Sequence, residues 1–314
     1  MENDRLRVEQ ALLGAVRTPD AYLTEIASHL ISAGGKRLRP VFTIVASQIA
    51  TDGPASEEAI AGGISCELVH LGSLYHDDVM DESTTRRGVD TVNAKWGNLQ
   101  AILAGDFLLA KASEIAASLG TEVAALLART IGHLCEGQIE ELRHTYNVAR
   151  PIDSYLNSID GKTASLYSTA ARIGGIVAGH DRATIEALTT YGTAYGMVFQ
   201  IVDDVLDLTA TDAQLGKPAG HDMEEGVYTL PVLHTLAAGG PAASELGSIL
   251  GKPLNEAERE KVLHIVRSNG GIATAIEKAR AYVADAESAC DALPQSATTD
   301  AMRKATAALL ATVA

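Results

Sequence analysis

Two acidic clusters in this chain share one spacing. Asp77, Asp78 and Asp81 stand in LYHDDVMDES, and Asp203, Asp204 and Asp207 stand in FQIVDDVLDLT, so each cluster reads DDxxD. On a helix that advances about 100° per residue, the first and last aspartates of each cluster lie about 40° apart and project from one face. Carboxylates placed so closely repel, and where they are partly buried they need a cation or strong donors. Hard oxygen ligands suit magnesium, which keeps several waters and is completed by phosphate oxygens of a substrate. A single DDxxD reads more readily as a solvated acidic face. Two copies, each flanked by apolar residues (Leu74, Tyr75, Val79 and Met80; Ile201, Val202, Val205 and Leu206), point instead to paired clusters that hold Mg²⁺.

Cations that could receive a phosphate are also patterned. GGKRLRP carries Lys36, Arg37 and Arg39 between a Gly pair, which permits a tight turn, and Pro40, which can open a helix at its first position. Backbone donors at a helix start, together with Lys and a forked Arg, make a diphosphate seat, with a solvated basic loop as the alternative. Arg86 and Arg87 follow the first acidic cluster by little more than one turn. Lys162 and Thr163 precede Ala164 and Ser165, small residues that leave room for a ligand, although an exposed helix charge would look the same. His70 lies about two turns before Asp77, and its spacing to His76 is not that of a zinc pair, so a satisfied core histidine is the plainer reading.

Helices must position these residues. Apolar positions recur at three- and four-residue spacing through Glu57–Asp81, Gln100–Ser118, Glu122–Thr145, Ile152–Ala178 and Arg182–Leu208, while alternating β-branched runs are nearly absent. The expectation is an all-α fold without a sheet, residues 1–314 forming one large helical domain. The two longest interruptions, Glu82–Asn98 and Ala210–Val227, each follow an acidic helix end, and long loops in compact domains are more often functional than not.

Composition narrows the partners. A hydrophobic content of 46% is ample for a core, and a net charge of −15 argues against nucleic acid, which needs uncompensated Lys and Arg. Any anionic substrate must therefore meet a local cation cluster or a metal. The opening MENDRLRVEQ has no apolar run after its charges, and no stretch of about 18 apolar residues occurs, so a cytoplasmic location without a transmembrane segment is expected. Cys66, Cys135 and Cys290 form no CxxC pair and are expected to be buried free thiols.

Taken together, GGKRLRP, ELVHLGSLYHDDVMDESTTRRG, TVNAKWGNLQAILAGDFLL, GKTASL, FQIVDDVLDLT and GKPAGHDMEEGVYTLPVL resemble, in order, the trans-isoprenyl diphosphate synthases, or polyprenyl synthetases, across roughly Leu30 to His234. The resemblance implies an orthogonal helical bundle around a central cavity, usually in a homodimer. It implies that Lys36, Arg39, His70 and Arg87 bind isopentenyl diphosphate and that Arg86, Lys162, Thr163, Gln200 and Lys217 hold an allylic diphosphate. Asp77, Asp81 and Asp203 would ligate magnesium, three ions per site with diphosphate bound, and Asp78, Asp204 and Asp207 would support that shell directly or through water. The implied reaction ionises the allylic C–O bond, lets the isopentenyl double bond attack the cation, and removes a proton, with Asp77, Asp81, Lys162 and Asp203 carrying the catalysis.

Two departures stand out: Val227 and Tyr228 occupy the place where many relatives carry a lysine before TLP, and the closing LLATVA has no basic residue. A weaker late-loop phosphate contact is expected from these, without loss of activity. Gly72 and Ser73 lie one turn below Asp77, where short-chain members often place an aromatic, with Val69, Cys66 and Ser65 further down. An open floor there implies a long product of about seven to ten isoprene units, each unit spanning about one helical turn, such as a quinone side chain. A short-chain farnesyl or geranylgeranyl synthase, a terpene cyclase and a non-catalytic subunit of a heteromeric synthase are the alternatives. Cyclases usually replace the second DDxxD, and non-catalytic subunits typically lose aspartates; here both clusters are complete.

Overall fold

The computed structural model describes residues 2–51, 53–210 and 219–314. The all-α expectation holds. In chain order the helices that matter below are α1 (Glu2–Ala15), α2 (Ala21–Ser32), α3 (Leu38–Ser47), α4 (Glu57–Met80), α5 (Val92–Trp96), α6 (Asn98–Ser118), α7 (Thr121–Arg143), α8 (Ile152–Ile159), α9 (Ser165–Val177) and α10 (Arg182–Thr209). Shorter and longer helices continue from His221 to Leu310.

Local chemistry sets several helix starts. Asp20 accepts from the Tyr22 and Leu23 amides, Ser56 from the Ala59 amide and Thr91 from the Ala94 amide, so each satisfies a donor that the first helical turn leaves open. Asn255 and Glu258 form a reciprocal capping box. Among the described residues, no helix is long and apolar enough to cross a membrane.

Three local features depart from the sequence reading. A minimal antiparallel ladder pairs β1 (Thr85–Arg86) with β2 (Val89–Asp90) inside the first long interruption. Both turn residues, Arg87 (φ 55°) and Gly88 (φ 77°), are left-handed, as a two-residue hairpin of matching twist requires. The helix expected over Ile152–Ala178 contains a π turn at Asp160–Ala164. Helix α3 begins before Pro40, with left-handed Arg37 as its cap.

The chain divides into two compact units. One comprises residues 1–131, 166–192 and 292–298. Its core is built on fully buried Leu12, Leu30, Leu68, Leu71 and Leu108, each contributing about 1.5–3 kcal/mol by burial. There the buried Tyr75 hydroxyl donates to the Ile26 carbonyl (2.8 Å), fastening α4 to α2. The other unit comprises residues 132–165, 193–291 and 299–314, and its core gathers Tyr155, Val198, Ile201, Tyr228, Leu230 and Val262. Cys66 and Cys290 are buried as expected; Cys135 is exposed on α7, because it falls on the outer face of that helix.

Candidate active site

The first DDxxD ends α4. Asp77 is half-buried and Asp81, which caps the helix, is exposed, while Asp78 between them is fully buried. The Arg86 Nε donates to Asp78 Oδ1 at 2.6 Å, and Asp78 Oδ2 has no hydrogen-bond partner. Burial raises the Asp78 pKa above the usual carboxylate value, and Arg86 opposes that shift. The loop that delivers Arg86 is itself pinned: Asn93 Nδ2 donates to the Asp78 and Ser83 carbonyls, both at 3.0 Å, and the Asp90 carbonyl meets His29 Nε2 at 2.7 Å.

The basic residues of the same unit act on His70 through their charges. Arg87 Nη1 donates to the Leu30 carbonyl at 3.0 Å and to the Gly34 carbonyl, and Arg39 lies over the Tyr167 ring, 4.5 Å from its centroid. Burial, then Arg39, Arg87, Arg86 and Arg37 in that order, lowers the His70 pKa well below its ordinary value. Lys36 is exposed on the loop. Arg37, which the sequence offers as one more phosphate cation, is buried: its guanidinium is taken up by Glu9, Glu67 and the Ile31 carbonyl.

A pH dependence follows for His70. Its folded-state pKa lies below the unfolded value of about 6.5, so the unfolded chain takes up the proton first as pH falls. Stability from this group is present above about pH 6.5 and is lost as pH falls toward the depressed folded value, at no more than about 1.4 kcal/mol per pH unit. Thermal melts between pH 8 and 5 should show a shallower acid-side fall for His70→Gln than for the parent; parallel curves would remove His70 as the cause.

The second unit holds the other cluster. Asp203 is exposed, Asp204 and Asp207 are buried. Asp204 accepts from the Tyr155 hydroxyl and from Gln200 Nε2 (2.9 Å), and Gln200 Oε1 accepts in turn from Thr163 Oγ1 at 2.8 Å. Burial first, then the charge of Asp222, raises the Asp204 pKa well above the ordinary value, against the two donors. Arg150 backs this group, its guanidinium 5.5 Å from the Tyr155 ring centroid and its Nη2 donating to Ser158 Oγ at 2.7 Å. Lys162 and Thr163 sit in the π turn, and Lys162 Nζ donates to Glu141 Oε1 at 2.7 Å. Such turns recur at functional sites.

The structure thus joins Thr163, Gln200 and Asp204 in one hydrogen-bonded network, and the charges of Arg39, Arg87 and Arg86 act together on His70. The expectation for Lys217 lies outside the described residues. Sequence reading missed Glu67, Asn93, Glu141, Tyr155 and Asp222. Asp222 had a signal, an acid in the long loop after an acidic helix; the others show themselves only through contacts across the fold. Tyr228, one of the two residues that stand before TLP, is fully buried, and its hydroxyl accepts from the Gly251 amide at 2.6 Å.

The reading of Gly72 as open floor also changes. A Cβ at Gly72 would stand 3.0 Å from the Gly105 carbonyl oxygen and 3.3 Å from Leu109 Cδ2, so its smallness serves the contact between α4 and α6. Ser73, half-buried with its hydroxyl bonded to the His70 carbonyl, is the remaining small residue one turn below Asp77.

Residues 20–267 match the polyprenyl synthetase family. The chain is 40% identical to nonaprenyl diphosphate synthase of Mycobacterium tuberculosis, covering 92% of this chain and 86% of that protein. It is 37% identical to heptaprenyl diphosphate synthase component 2 of Geobacillus stearothermophilus, covering 94% and 92%. Among solved structures, a polyprenyl synthase from Caulobacter crescentus, complexed with calcium and isoprenyl diphosphate, superposes with a TM-score of 0.92 at 32% identity, covering 100% of this chain and 96% of that one. The chain belongs to the polyprenyl synthetase family.

Proposed function

We propose that this chain condenses an allylic diphosphate with isopentenyl diphosphate, head to tail, to give an all-trans polyprenyl diphosphate of about seven to ten isoprene units. The observation that carries the reading is the division of labour within each DDxxD. Asp81 and Asp203 are exposed and Asp77 is half-buried, whereas Asp78 and Asp204 are buried, Asp78 against Arg86 and Asp204 against Tyr155 and Gln200. The accessible oxygens suit Mg²⁺, which substrate phosphates complete. Bound there, the metal would supply charge stabilisation to a departing diphosphate.

The remaining work falls to the chain's own side chains. Lys36, Arg39, His70 and Arg87 hold the isopentenyl diphosphate; Arg86, Lys162, Thr163 and Gln200 hold and orient the allylic diphosphate, with Lys217 as a further contact. Asp204, fixed by Tyr155, keeps Gln200 and Thr163 aligned through one hydrogen-bonded line. A preorganised cationic seat favours negative charge that develops on the leaving group. The names of the nonaprenyl and heptaprenyl relatives support the long product, and the family match from residue 20 to 267, which crosses both units, supports one functional domain. A homodimer is supported by the apolar stripe that α6 leaves exposed at Leu99, Ile102 and Leu103.

Incubating the purified chain with Mg²⁺, isopentenyl diphosphate and starters of several lengths, then separating the dephosphorylated alcohols, tests this directly. Products of seven to ten units are expected, and products of three or four units would overturn the length. The 37% identity to a protein named as component 2 favours a second reading, in which this chain works beside another subunit. Turnover by the chain alone excludes it.

A further inference from the structure

The guanidinium groups of Arg37 and Arg87 both pack against Gly35. A Cβ there would stand 2.9 Å from Arg87 Nη1 and 3.1 Å from Arg37 Nη1, so the two cations share one small space. Burial first, then the like charge of Arg37, lowers the pKa of Arg87, and Arg86 and Arg39 add to the repulsion. One buried anion offsets it. Glu67, 1% exposed on α4 and one turn before His70, accepts from Arg37 Nη1 at 3.2 Å through Oε1, acts favourably on Arg87, and keeps a second oxygen, Oε2, without a hydrogen-bond partner. On its outer side Arg37 is gripped twice by Glu9, at 2.7 and 3.1 Å, and it holds a left-handed backbone that a side chain adopts only when its surroundings impose it.

We infer that Glu67 is a positioning residue for the isopentenyl diphosphate seat: its buried carboxylate holds Arg37 and Arg87 together around Gly35 so that the Gly34–Arg37 turn, Arg39 at the start of α3, and Arg87 are in place before a diphosphate arrives. The inference rests on the reading of Arg87 as an isopentenyl diphosphate ligand. A diphosphate brings its own negative charge to such a cluster, but only after binding; an internal anion removes the repulsion beforehand, which is preorganisation. Arg37 is then a strut, and Glu9 ties the seat to α1.

Glu67→Gln keeps the shape and deletes the charge. Its KM for isopentenyl diphosphate should rise about tenfold, as one lost charge-assisted contact would give, with the KM for the allylic diphosphate and kcat within about twofold of the parent. Arg87→Met tests the underlying reading separately, by raising the same KM on its own; if it does not, the seat has been misread and this inference goes with it. In the double variant Glu67→Gln/Arg87→Met the Glu67 effect should largely vanish, because it acts through Arg87. A full, independent Glu67 factor on top of Arg87→Met overturns the inference, as does a KM that falls or stays constant when the charge is removed. Should Glu67→Gln fail to fold, Glu9→Gln at the half-exposed outer clamp should raise the same KM in the same direction by a smaller factor, and an unchanged KM there is equally fatal.

Discussion

Asp81→Asn is expected to lower kcat by three orders of magnitude or more while leaving the melting temperature unchanged. Asp81 caps α4 at an exposed position, so an isosteric amide there should cost the fold no more than about 0.5 kcal/mol. The catalytic cost is of another size. A carboxylate that helps hold the cation stabilising a departing diphosphate acts where charge develops, and losing such a contact is worth about 4 kcal/mol, or roughly a thousandfold. Asp78→Asn should behave in the opposite way, because Asp78 is buried against Arg86: the thermal midpoint should fall together with affinity for the allylic substrate. Steady-state kinetics at saturating substrates and thermal melts on the same preparations separate the two. An Asp81→Asn enzyme within tenfold of the parent kcat would remove Asp81 from the metal-binding set.

Gly137→Ala should give the second large effect, this time through packing. A methyl at Gly137 would lie 2.5 Å from the Lys162 amide nitrogen and 2.7 Å from the Ser158 carbonyl oxygen, and from the other side a methyl at Gly161 would meet the His133 carbonyl at 2.7 Å. The contact between α7 and the π turn is thus backbone against backbone, and no side-chain rotation can relieve it. Overpacking of this kind costs about 1–3 kcal/mol, which in a chain of this size lowers the melting temperature by about 5 °C. Glu141 stands one helical turn beyond Gly137, so the pair it forms with Lys162 should shift as well, and the KM for the allylic diphosphate should rise about tenfold. Gly132→Ala, one turn and one residue earlier on α7 with nothing within 4 Å, is the control and should be neutral or slightly stabilising. Equal behaviour of the two variants would show that the close approach does not position Lys162.

The helices themselves were legible because their cause is local. Apolar spacing placed α4, α6, α7 and α10 within about two residues of their observed ends, the usual scatter of helix boundaries. What escaped was decided by residues far apart in the chain. The π turn packs backbone against backbone where Gly161 meets Gly137, a contact that no pattern within Ile152–Ala178 encodes. DDxxD spacing shows that its aspartates share a face, but which of them is buried depends on Tyr155, 49 residues from Asp204, and on the hairpin that returns Arg86 to Asp78. Four hydrogen-bonded strand residues are likewise too few for an alternating pattern to register. For Arg37 the sequence supplied a cation in a basic loop, and only the buried Glu67 and the reach of Glu9 across 28 residues reveal that its charge is already engaged.

The β1–β2 hairpin sends two consecutive arginines to separate destinations, Arg86 to the carboxylate of Asp78 and Arg87 to the carbonyls of Leu30 and Gly34. Because the left-handed bend falls on Arg87 itself, adding or deleting one residue would deal each guanidinium the other's address. Loop length in this stretch should consequently tolerate change far less than its exposed side chains do, and a chain that drifted by a single position here would lose both anchors at once.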